Sequence, residues 1–148
     1  MEVVLQLIYA MMGTFGFCLI FNVEKRHLIV ITLGGALCWG AFLFFKWLGF
    51  GTFPAGFSAS AIIGICGEIL SRLLKMPTTV FDIPACVPLI PGSNLYYALY
   101  ALIAQDWDGW KENTVLLLLY AMGIATGLAV ILELDHIRCS FIRKYLKT

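Results

Sequence analysis

The sequence predicts an all-α membrane protein, a bundle of about five transmembrane helices whose fourth span is broken by Pro84, Pro88 and Pro91. Three observations predict it. Hydrophobic residues make up 61% of the 148-residue chain and charged residues 13%, and the mean hydropathy is +0.90, well above the balance of a soluble domain. Uncharged apolar runs long enough to cross ~30 Å of hydrocarbon recur between short polar turns. One of them, residues 81–106, holds the three prolines and an aspartate, Asp82. Each proline removes a backbone donor and crowds the carbonyl four residues earlier, so this run cannot be one uninterrupted helix.

The length suits a single transmembrane domain, residues 1–148, with spans at about 3–21, 28–45, 55–74, 79–104 (broken) and 114–132, and a basic tail at 136–148. It leaves no room for a soluble catalytic domain as well. The first run has no charge, and Glu2 stands where a cleavable leader would be basic, so it reads as a retained span. Gly13 and Gly16 offer it a small patch for a neighbouring helix.

Residues 22–27 form a short polar turn, and the second span carries Gly34, Gly35 and Gly40 before Lys46 and Trp47 anchor it at the interface. Gly49, Gly51 and Pro54 make the next turn. In the third span, Gly56, Ser60, Gly64, Glu68 and Arg72 follow one another at i+4 and share a stripe, small at one end and charged at the other. Glu68 can form a local ion pair with Arg72 or face an aqueous cavity and handle a proton or substrate.

Residues 78–90 read as too proline-interrupted for a regular helix. Pro91-Gly92-Ser93-Asn94 reads as a helix start with side chains able to cap it, and a helix follows over about 94–105. At 1.5 Å per residue, that helix covers only part of a crossing. The acidic, tryptophan-bearing residues 106–112 read as an interfacial loop. The last span carries a Gly123-x-x-x-Gly127 pair, and Glu133, Asp135 and His136 mark its exit. The basic tail then reads as lying on the inner leaflet.

Charge decides between a crossing and a dip at 79–104. With a crossing, Lys25, Arg26, Arg72, Lys75, Arg138, Arg143, Lys144 and Lys147 share one side, and Lys46 and Lys111 the other. The positive-inside rule then places the N-terminus outside and the C-terminus in the cytoplasm, in the cytoplasmic membrane. A net charge of +1 without a basic surface cluster argues against nucleic acid. Five scattered cysteines with no C-x-x-C, and two histidines, argue against a metal or redox cofactor; no cofactor is expected.

Two stretches carry a resemblance. Phe21-Asn22-Val23 followed two residues later by the basic Lys25, and above all Val87-Pro88-Leu89-Ile90-Pro91-Gly92-Ser93-Asn94-Leu95-Tyr96-Tyr97-Ala98-Leu99-Tyr100, resemble the threonine/serine exporter family. The likeness is to its short second component and covers nearly the whole chain in span order. It implies the C-terminal-half-like part of a two-component exporter. The implied partner is a larger membrane subunit with a cytoplasmic domain. The implied cargo is a small hydrophilic metabolite, threonine or serine, with succinate for one branch.

From the residues, a substrate carboxylate would meet free N–H groups at a helix start over 92–95, with Gly92, Ser93, Asn94, Tyr96 and Tyr100 binding it. Asp82 or Glu68, facing that start, would take the substrate ammonium or a coupling proton. Two other classes stay open: a structural or assembly subunit without its own site, and an intramembrane acid-dependent hydrolase using Asp82 with Glu68. A homo-oligomer is also open.

Overall fold

The computed structural model describes the backbone of residues 2–145 and the side chains as far as Leu134, together with Ile137. The side chains of the basic tail, and those of Asp135 and His136, lie outside the described residues. Six α-helices and one 3-10 turn make up the described chain. They are α1 (Glu2–Ile20), α2 (Leu28–Trp47), α3 (Thr52–Leu74), α4 (Thr78–Cys86), the 3-10 turn Val87–Leu89, α5 (Gly92–Ile103) and α6 (Trp107–Tyr145). The helices α1, α2 and α3 and the stretch Trp107–Leu134 of α6 are each long and apolar enough to cross a membrane; α4 with its 3-10 turn and α5 meet that measure only together.

Lipid tails are as apolar as leucine, so helices in a bilayer associate by close packing rather than by hiding apolar surface. The core accordingly runs along small residues. On α1 the buried positions are Ala10, Thr14 and Cys18, one per turn on a single face. They meet α2, whose Gly35 leaves the room that the Thr14 side chain fills. The Thr14 hydroxyl satisfies itself by donating to the Ala10 carbonyl at 2.9 Å. The residue before Gly35 in α2 receives α4: the Phe81 ring lies against Gly34, where a Cβ would stand 2.7 Å from it. Helix α2 is thus central, packed against α1, α3 and α4.

The largest helix contact joins α3 to α6. Gly56 lies beside the Gly123 backbone, Ser60 beside Gly127, and Gly64 beside Ile131. The stripe on α3 and the Gly-x-x-x-Gly pair on α6 are therefore the two halves of one seam. Residue numbers rise together along it, so α3 and α6 run parallel. A chain that ends α3 at one level and starts α6 for a parallel run must return between them. The α4–α5 pair makes that return as one broken span, bent by 52°.

The bend sits at Ile90-Pro91, which corrects the expectation that residues 78–90 are irregular. Pro84 lies inside α4 and Pro88 inside the 3-10 turn. Pro84 is the seventh residue of a nine-residue helix and forfeits one hydrogen bond, while Pro88 sits where the turn needs no donor. Gly92 N–H then turns back to the Ile90 carbonyl at 2.8 Å, and α5 starts at Gly92, two residues earlier than expected.

Two further boundaries differ. The expected loop at 106–112 is instead the Asp106 cap and the first turns of α6. The Asp106 carboxylate accepts from the Gly109 N–H at 3.1 Å, and Trp107 and Trp110 stack edge to face on the new helix. At the other end the backbone of the tail prolongs α6 to Tyr145 without interruption. Gly13 and Gly16 have open space beside them, so no helix among the described residues uses that patch.

Candidate functional site

The seven residues picked from the sequence fall into two groups on different elements. Asp82 and Glu68 form the first, at the α3–α4 contact. Asp82 is one turn into α4 and only 3% exposed, and neither carboxyl oxygen has a hydrogen-bond partner. Its carboxyl lies directly on Gly67 of α3, where any Cβ would collide with Oδ1. An ionised carboxylate enclosed without donors has nothing to offset its lost hydration. Positions of this kind are costly to keep unless they are used. Glu68, next to Gly67, is 15% exposed at its side chain and pairs with the half-exposed Arg72 guanidinium at 3.6 Å. The local ion pair foreseen for that i+4 spacing is formed.

Gly92, Ser93, Asn94, Tyr96 and Tyr100 form the second group, on α5. This helix packs against α6, and its other faces are open. Tyr96 and Tyr100 are each 63% exposed, and nothing in the chain stands within 4 Å of a Cβ placed on Gly92. The start of α5 is therefore exposed, beyond the 52° bend that separates it from α4. No side chain caps this start, so the capping expected of Ser93 and Asn94 is absent among the described residues. Two of its N–H groups are spent inside the chain, Gly92 on Ile90 and Leu95 on the Pro91 carbonyl at 3.1 Å. Ser93 and Asn94 carry the remaining helix-start donors.

Sequence reasoning missed a third feature. Where the turn 22–27 meets the α3–α4 connection, a cavity of about 360 Å³ opens, lined among others by Asn22, Glu24, Arg26, His27, Lys75 and Thr79. His27 is 4% exposed, and neither ring nitrogen has a hydrogen-bond partner. The one signal for it was Phe21-Asn22-Val23, which carried part of the family resemblance but pointed to no chemistry.

The geometry is that of a broken span in a small helical bundle, and comparison with known families bears on it directly. The family model described as "Threonine/Serine exporter, ThrE" matches residues 6–133. The chain belongs to the threonine/serine exporter family. The match reaches into every candidate span and takes in both acids and the whole of α5. No solved structure matches this family member. As a member of that family, the chain is a multi-pass membrane protein.

Proposed function

We propose that this chain is a membrane subunit of a secondary exporter that moves small hydrophilic metabolites out of the cell, working with a larger partner subunit of the same family. One observation carries the reading: the break at Ile90-Pro91 and the helix start after it lie halfway along a span and face outward. Backbone N–H groups at that depth are not left against lipid. A second subunit laid along α5 would cover Ser93, Asn94, Tyr96 and Tyr100 and turn this surface into the wall of a cavity at the bilayer midplane. Discontinuous helices of secondary transporters hold substrates in such a place.

In this reading the substrate carboxylate meets the N–H groups of Ser93 and Asn94 at the positive end of α5, with Gly92 leaving room for its approach. The tyrosines one turn apart line the path. Asp82 carries the coupling proton, a role suited to a carboxyl group enclosed without donors. Glu68 steers the proton or the substrate ammonium from the Arg72 side. The preponderance of basic residues at the end shared by Lys25, Lys75 and the tail supports a cytoplasmic C-terminus and an external N-terminus in the cytoplasmic membrane.

Threonine, serine and succinate efflux from cells expressing the chain with its partner tests the proposal. Asp82→Asn, Glu68→Gln and Gly92→Leu are expected to lower efflux at unchanged membrane abundance. Unaltered efflux in all three sinks the site, and efflux by this chain alone sinks the two-subunit claim. The same exposed α5 face would suit an assembly subunit with no site of its own. Substitutions over 92–100 that change which metabolite leaves, rather than how much protein accumulates, exclude that reading.

A further inference from the structure

The cavity beside His27 lies apart from both residue groups and has a definite chemistry. It is formed where two helices begin, α2 after its N-cap His27 and α4 after its N-cap Pro77, and neither start has a side-chain cap. Of the first-turn residues, Thr79 and Val80 of α4 line the cavity, and the Val80 N–H is spent on the Pro77 carbonyl at 3.1 Å. Arg26 and Lys75 stand on its wall. Arg26 is paired with Glu24, whereas Lys75, held by a left-handed backbone at the end of α3, has no carboxylate partner among the described residues.

His27 points the same way from inside. Its ring is enclosed yet lines the cavity, and in either neutral tautomer it offers one N–H with no acceptor. The nearest carboxylate oxygen, on Glu24, is 3.9 Å from Nε2, beyond hydrogen-bond reach. A buried donor without an acceptor is costly to maintain in a folded protein. Two cations, one carboxylate already engaged and this donor all favour an incoming negative oxygen. The volume is that of a small-molecule site.

We propose that this cavity is an oxyanion-binding site at the cytoplasmic mouth of the protein, with His27 and Lys75 as its principal donors. The group bound is a carboxylate or a phosphate, supplied either by the metabolite awaiting export or by an inner-leaflet lipid. The oxyanion site stands on the residues named; its use as the entry point for exported metabolite rests on the exporter reading.

Nitrogen NMR of the full chain, labelled at its two histidines and held in phosphatidylcholine nanodiscs, reads the site directly. Succinate or L-threonine is expected to shift the His27 ring signals saturably. Lys75→Gln, at an exposed position, is expected to weaken the apparent affinity about tenfold, the worth of one charge-assisted hydrogen bond. Glu24→Gln is expected to tighten it, the opposite of its effect on a cation site. A shift that appears only when phosphatidylglycerol enters the disc assigns the oxyanion to lipid. His27 signals that respond to neither the metabolites nor the anionic lipid, or weaker binding in Glu24→Gln, overturn the proposal. Efflux assays fail separately: saturable His27 shifts in a chain that supports no export under any condition retain the site and discard the exporter reading.

Discussion

Asp82 and Gly67 are a matched pair. The aspartate keeps its place on α4 because the residue facing it on α3 has no side chain. Gly67→Ala is therefore expected to destabilise the fold by about 1–3 kcal/mol, the usual cost of forcing extra volume into a packed contact. A denaturant titration in detergent checks it. Asp82→Asn changes neither size nor packing, so its expected phenotype is different: normal abundance and thermal stability, with efflux lost. Stability and transport measured side by side separate the two residues. A loss of folding in Asp82→Asn would instead mark the carboxyl as structural. Among the acids, the sequence pointed to Asp82 and Glu68 alike, since both interrupt apolar runs. It could not rank them: the Glu68–Arg72 pair lies within α3 and was foreseen from its spacing, but the partnerless enclosure of Asp82 depends on a neighbouring helix.

At the scale of elements, the α3–α6 seam makes a sharp contrast with α1. A Cβ at Gly127 would stand 2.6 Å from the Phe57 carbonyl oxygen, and one at Gly123 would stand 2.7 Å from that of Phe53. These are backbone atoms that cannot swing aside. Gly127→Ala is expected to cost about 1–3 kcal/mol by pushing the two helices apart. Gly13→Ala, with open space around it, is expected to be neutral or to stabilise α1 by about 0.5–1 kcal/mol through its helix propensity. Thermal unfolding of the two variants, followed by circular dichroism, tests the pair. If Gly13→Ala lowers efflux or breaks assembly while leaving the chain itself stable, the patch on α1 serves a neighbouring subunit. Both glycine motifs were legible as small surfaces in the sequence. Which one finds its partner inside the chain was not, since a motif states how closely a helix may approach and not which helix approaches.

The whole molecule is ordered by its parallel α3–α6 pair, which obliges the α4–α5 segment to cross. The expected arrangement puts Asp108 outside and Lys75 in the cytoplasm. Single cysteines at these positions, in a background lacking the native thiols, test it with a membrane-impermeant maleimide. Asp108→Cys is expected to label on intact cells and Lys75→Cys only after permeabilisation. Equal labelling of both on intact cells would turn the broken span into a re-entrant dip.

The sequence by itself determined the class, the long apolar runs and most of their limits, because the bilayer imposes a demand that each segment meets alone: enough apolar residues, with backbone bonds satisfied internally. It also located the break in the fourth span, since proline acts on its own neighbours. Only the tertiary structure decided that Pro84 and Pro88 are absorbed and that the bend falls at Ile90-Pro91. It alone showed that the start of α5 is exposed and that His27 is enclosed at the mouth of a cavity. Those outcomes rest on which helix lies beside which, and contacts between residues far apart in the chain leave no local trace in composition or spacing.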